Sequence, residues 1–172
     1  MALRDGGPAD LVVRCIPHLR RYARGLTRDV QSADDLVQDA LERAWSRLHL
    51  WRGEGDIRPW LFSILHSINA NDERRRRRSP SFLPLVDELP VAGVSNPEAT
   101  AELREVVAAF GALAEEQRQV LLLVVLEQFS YQEVADILGI PLGTVMSRLF
   151  RARERLRTAL RSPENSERNE KK

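Results

Sequence analysis

Arg148, Arg151, Arg153, Arg155 and Arg157 put five guanidinium groups into the ten residues that end the stretch "GTVMSRLFRARERLR". An arginine fork can engage two acceptors at once, which suits phosphate oxygens or the edge of guanine. Thr144 and Ser147, near the start of the same stretch, can contact bases or phosphates. Arg74 to Arg78 form a second block of five adjacent arginines. On a helix they point in all directions and cannot share one partner, but as a set they suit sequence-blind attachment to duplex phosphates. A solvated basic face is the plain alternative for either block.

The elements that must position these groups are helical. Ser130 and Glu133 fit a capping box, Gly139 fits a helix end, and Val134, Ala135, Ile137 and Leu138 give the enclosed helix an apolar face. A second helix runs from about Gly143 to Leu160, with Val145, Leu149, Ala152 and Leu156 inward and Thr144, Ser147, Arg148, Arg151 and Arg155 outward. The pair is a helix-turn-helix whose second member carries the arginines. Upstream, Ser32 is expected to cap a helix with the apolar stripe Leu36, Val37, Ala40, Leu41, Ala44, Trp45 and Leu48. Asp56 is expected to cap another, with Trp60, Leu61, Ile64, Leu65 and Ile68 inward. An earlier helix spans about Leu11 to Thr27. Leu103, Val106, Val107, Phe110 and Leu113 mark one more, and Val120 to Leu126, apolar nearly all round, a central one. No sustained period-two alternation signals a strand, so the fold class is all-α.

A net charge of +1 over 172 residues hides blocks. Residues 1–78 hold 15 basic and 11 acidic side chains, residues 98–139 hold 2 and 8, and residues 140–161 hold 6 and 1. Such segregation suggests separate surfaces with separate partners. Four of the nine prolines fall in 79–97, a stretch that helices cannot cross. The chain divides accordingly into a module at 8–78, a linker at 79–97, a module at 98–161 and a polar, disordered tail at 162–172.

Some chemistry is excluded. His18, His49 and His66 lie in separate segments without metal-ligand spacing, and no glycine-rich phosphate loop occurs. The reading is a non-enzyme without cofactor, metal or small-molecule substrate. No window approaches the roughly 18 apolar residues that span a bilayer, so no membrane insertion is expected. The N-terminus lacks a signal-peptide pattern. Cys15, the one cysteine, reads as a small semi-buried side chain in a reducing cytoplasm.

Three stretches, in order, carry a resemblance. "SADDLVQDALERAW" (32–45) resembles the helix by which bacterial sigma factors grip core RNA polymerase. "IRPWLFSILHSINANDERRRRR" (57–78) is similar to the segment that melts and reads the −10 element. "LGIPLGTVMSRLFRARERL" (138–156) resembles their promoter-reading helix-turn-helix. With a linker between, the pattern is similar to the extracytoplasmic-function sigma factors, which keep the second and fourth sigma domains, and it covers about residues 10–160. The resemblance implies two small helical domains, promoter DNA and core polymerase as partners, a cytoplasmic location and an anti-sigma factor as controller. It implies polymerase contacts at Asp34, Asp35, Gln38, Asp39 and Glu42. It implies −10 contacts at Trp51, Ser63, Ser67, Asn71, Arg74, Arg75, Arg77 and Arg78, and −35 contacts at Thr144, Ser147, Arg148, Phe150, Arg151 and Arg155. Trp60, on the inner stripe, reads as core. Two departures stand out: Ser67 where many members have Asn, and Ala114 where many have Pro, which softens a helix start. A sigma-like mimic that sequesters an anti-sigma factor, or a helix-turn-helix repressor, are the competing readings.

Overall fold

The computed structural model describes residues 7–27, 29–78 and 101–161, and every regular element among them is helical. The proposed linker at 79–97 and tail at 162–172 lie outside the described residues. Helix α1, Pro8–Thr27, buries Val12, Cys15, Leu19, Tyr22, Ala23 and Leu26 at three- and four-residue spacing. Burial pushes the Cys15 thiol above its usual range, which suits packing and not reactivity.

Helix α2, Val30–Arg47, begins earlier than the sequence suggests. Its cap is Asp29, whose carboxylate accepts from the Ser32 N–H at 2.7 Å. Ser32 is therefore a donor within the first turn and not the cap. Asp29 takes the role because its extended backbone (φ −128°, ψ 134°) aims the carboxylate at free amides. Trp45 departs from the expected stripe and is 53% exposed. Helix α3, Arg58–Arg78, follows a short loop; its first backbone bond, from Leu61 N–H to the Ile57 carbonyl, puts Ile57 at the cap position, so Asp56 stands one residue before the expected cap and accepts from the Arg58 N–H at 2.9 Å. Ile57, Leu61, Phe62, Ile64, Leu65 and Ile68 are buried, and α1, α2 and α3 pack together around them.

The second group of helices is α4 (Ala101–Gly111), α5 (Glu115–Leu121), α6 (Tyr131–Leu138) and α7 (Leu142–Leu160). Ala114 caps α5 with no side-chain bond. After α5 the backbone widens into a π-turn over Leu122–Leu126. Val120, Leu122 and Leu123 face the core while Val125 faces solvent, so this segment is central on one side and not all round. Ser130 and Glu133 form the capping box: the Ser130 amide and hydroxyl both donate to Glu133 Oε2 at 2.7 Å. These bonds hold the Glu133 carboxyl below its usual range. Gly139 ends α6 at φ 63°, a left-handed turn that suits glycine.

The two groups share one core. Phe62 of α3 lies between Tyr22 of α1, at 5.2 Å, and Phe129, at 5.0 Å edge-on, in the loop before α6. Gly25 lets α1 approach the π-turn so closely that a Cβ there would meet Leu122 Cδ1 at 2.7 Å. Phe62→Ala is expected to lower unfolding stability by about 3–5 kcal/mol, against less than about 0.5 kcal/mol for the exposed control Asn71→Ala. Urea unfolding followed by circular dichroism reads the difference.

Candidate functional site

Helix α7 is oriented by what it buries. Val145, Leu149 and Ala152 are inside, against α4, α5 and α6. Ser147, Phe150, Arg151, Arg153, Arg155 and Arg157 are left exposed. Thr144 and Arg148 differ: both are half-buried, and Arg148 lines a cleft against α3. Ser147 donates to the Thr144 carbonyl at 3.1 Å, and Arg157 pairs with Glu154. Met146, next to buried Val145, is 48% exposed.

Helix α3 keeps Ser63, Ser67, Asn71, Arg74 and Arg78 in one line, spaced by four, four, three and four residues. The core-facing residues fix that line, because they occupy the opposite side. Ser63 is half-buried and donates to the Trp60 carbonyl at 2.7 Å, while Ser67, Asn71, Arg74 and Arg78 are exposed. Arg75 lies off the line, in a groove with Asp72, Arg76 and Arg78. The side chain of Arg77 lies outside the described residues. Trp51 and Trp60 are both half-buried against the core, and the loop 52–56 that follows Trp51 is exposed throughout.

On α2, Asp35, Gln38, Asp39 and Glu42 are exposed and Asp34 is half-buried. Gln31 donates to Asp35 and Gln38 donates to Glu42, each at 3.1 Å, and Asp34 lies 3.9 Å from Arg20 of α1. Trp45, three residues beyond Glu42, adds an exposed indole to this acidic face. Its place at the stripe's edge gave no signal in the sequence, since a stripe-edge aromatic can turn either way.

The two groups of helices meet at a carboxylate. The Glu127 side chain is 0% exposed. His18 Nδ1 lies 2.9 Å from its Oε2, Arg21 Nε donates to Oε1 at 3.0 Å, and Arg58 Nη2 donates to Oε2 at 3.3 Å and to the Glu127 carbonyl at 2.7 Å. Arg58 also stacks over the Phe129 ring, 4.7 Å from its centroid. Gln128, between these two buried residues, takes φ 59°, an uncommon conformation for a residue with a Cβ. Nearby, His66, Glu73, Arg74, Glu115, Glu116 and Arg148 line the cleft of about 250 Å³. Burial, then the charges of Arg148 and Arg74, hold the His66 imidazole below its usual range.

Comparison with known proteins follows these two groups of helices. Residues 12–66 match the family model for the Sigma2 domain of PhyR, and residues 103–156 match the Sigma-70 region 4 model. The ECF RNA polymerase sigma factor EcfG of Rhodopseudomonas palustris is 34% identical over 88% of this chain and 83% of its own length. The ECF sigma-E factor of Escherichia coli is 35% identical over 84% and 81%. Among solved structures, the sigma factor RpoE of Bartonella quintana, determined in complex with the anti-sigma factor NepR, matches with TM-score 0.73 at 29% identity, covering 90% of this chain and 96% of RpoE.

Two outcomes follow from the charges. Arg58→Ala strands part of the buried carboxylate, so it is expected to destabilise the packed chain by about 3 kcal/mol, more than Glu127→Gln, which leaves cations that can reach water. Paired urea titrations measure both. Because the folded chain disfavours charged His66, that group contributes fully above about pH 6.5 and costs stability as pH falls below that value. His66→Gln is expected to flatten the loss that sets in below about pH 6.5; an unchanged slope would assign it elsewhere.

Proposed function

This chain belongs to the extracytoplasmic-function RNA polymerase sigma factor family, and on that premise we propose that it binds core polymerase through α2 and reads both promoter elements. The domain limits suggested by the sequence, 8–78 and 98–161, fit this division of labour. Asp34, Asp35, Gln38, Asp39 and Glu42 would make the polar contacts with polymerase, and Trp45 would add the apolar anchor typical of tight interfaces. The line Ser63, Ser67, Asn71, Arg74 and Arg78, with Trp51 beside the exposed loop, would meet the −10 strand. Arg75 and Arg77 would add charge toward phosphates. Thr144, Ser147, Arg148, Phe150, Arg151 and Arg155 would meet the −35 duplex. RNA synthesis itself would be the polymerase's work, in the cytoplasm where the template lies, and this chain would act by binding energy alone. No described helix is long and apolar enough to cross a membrane.

The observation that carries this reading is a pair of arginine-bearing surfaces on one chain, on α3 and α7, meeting at the cleft between Arg74 and Arg148. Elements named −35 and −10 lie about 25 base pairs apart, or about 85 Å at about 3.4 Å per step. A packed chain of this length has a radius of gyration of about 16 Å. The packed arrangement therefore cannot reach both elements, and function requires the two halves to separate. RpoE, whose match covers 90% of this chain, was determined with an anti-sigma factor bound. We accordingly infer an anti-sigma partner that favours the packed arrangement.

The test is transcription by sigma-free core polymerase plus this chain, with transcript starts mapped on genomic DNA. Starts sharing a two-part upstream motif are expected. Arg151→Ala should cut promoter-directed initiation about 5- to 150-fold, in line with loss of one specific arginine contact, while leaving core binding intact. Trp45→Ala should weaken core binding at least tenfold. Core binding without any DNA dependence on Arg151 would favour the sequestering mimic, and sequence-specific DNA binding without core would favour the repressor.

A further inference from the structure

Leu142, Met146 and Phe150 are 37%, 48% and 66% exposed. They stand at i, i+4 and i+8 on α7 and form one ridge along its surface. Single exposed apolar residues are ordinary, but three in register on an arginine-rich helix are not. From Leu142 to Phe150 the exposed positions are Leu142, Gly143, Met146, Ser147 and Phe150. Ser147 is the one hydrogen-bonding side chain among them, and its hydroxyl proton is directed at the Thr144 carbonyl. The arginines begin beyond, apart from Arg148, which turns into the cleft toward α3.

A helix-turn-helix presents the N-terminal residues of its second helix to base edges. Here that part of the helix offers mainly carbon. The major groove has one apolar feature, the C5-methyl group of thymine. The surrounding charge favours nucleic acid as the occupant, because exposed Arg153 and Arg157 continue the ridge and exposed Arg151 and Arg155 lie on the flank beside it. A protein helix seated on this ridge would have to match Arg151, Arg153 and Arg155 as well, since Arg157 alone of the four is paired with Glu154.

We propose that Met146 and Phe150 are specificity-determining residues that read thymine methyl groups in the −35 element. This rests on α7 being the DNA-reading helix. Four residues advance a helix by about 6 Å, and a base pair advances the duplex by about 3.4 Å. The two methyl groups therefore lie one or two base steps apart, on either strand. Ser147 and Arg151 lie between the ridge and the cleft side and supply the polar contacts, and the later arginines meet phosphates.

The test uses holoenzyme reconstituted from this chain and core polymerase on a promoter found by start mapping. Each −35 thymine is replaced in turn by deoxyuridine, which keeps its pairing and removes the methyl group. Wild-type holoenzyme is expected to lose about three- to fivefold in binding at two positions one or two steps apart. Met146→Ala should be indifferent to the replacement at one of them and Phe150→Ala at the other, the signature of a direct contact in a double-mutant cycle. Far-ultraviolet circular dichroism and core binding check that both surface variants fold. Indifference of the wild type to every replacement, or a −35 element with no two thymines so spaced, overturns the proposal. So does Met146→Ala weakening binding of a protein partner while deoxyuridine sensitivity persists at both positions. Arg151→Ala separates the two levels: if it abolishes initiation while deoxyuridine is neutral, methyl reading fails alone. If it too changes nothing, the reading of α7 as the DNA helix fails.

Discussion

A buried carboxylate in water-free surroundings is costly unless its charge and lone pairs are met. Glu127 is met by His18 and Arg21 from α1 and by Arg58 from α3, all of them from the other half of the chain. The relative placement of the two halves depends on this cluster. Moving them by a few ångströms would break the bonds without giving the carboxylate water. Separating them completely restores hydration to every member, since His18 and Arg21 are already partly exposed. The contact is thus all-or-none, which suits a joint that must be either shut or fully open. Its apolar companions, Phe62 against Phe129 and Gly25 against Leu122, add adhesion, and they carry no charge to direct the register.

This joint divides the surfaces unequally. The acidic face of α2 with Trp45 lies away from it and is accessible in the packed arrangement. The polar line on α3 is exposed from Ser67 onward, and Arg74 within it lines the cleft where Arg148 is held. On the proposed reading, polymerase can therefore dock while the joint is shut, whereas both promoter elements become reachable after it opens. An order of events follows from geometry: polymerase first, promoter second. The free chain would then have little opportunity to occupy promoters unproductively.

Much of this was legible in the sequence, for identifiable reasons. The capping box at Ser130, the left-handed Gly139 and the Asp56 carboxylate bonding the first turn of α3 are local, and local hydrogen-bonding chemistry is written in neighbouring residues. The arginine blocks and polar lines could be placed because helix periodicity ties them to the buried stripe. Three features were not legible. Asp29 displaced Ser32 as cap, a competition between two good candidates three residues apart. Trp45 turned outward from a stripe edge, which depends on what α1 and α3 leave uncovered. Glu127 is the largest omission. A lone Glu after an apolar run looks like a surface residue, and its partners stand 69 to 109 positions away.

The reader helix shows why charge alone is a poor guide to specificity. Arginines near phosphates add affinity that salt weakens and that every sequence shares. Discrimination must come from groups that meet base edges. On α7 the exposed N-terminal turns hold Leu142, Met146, Ser147 and Phe150, and the density of arginine rises beyond them. The sequence draws attention to the arginines because they are numerous, yet their number suits them to attachment. Selectivity then falls to the few side chains that look unremarkable in composition, and a Met four residues from a Phe becomes informative once both are seen to face outward along the same ridge.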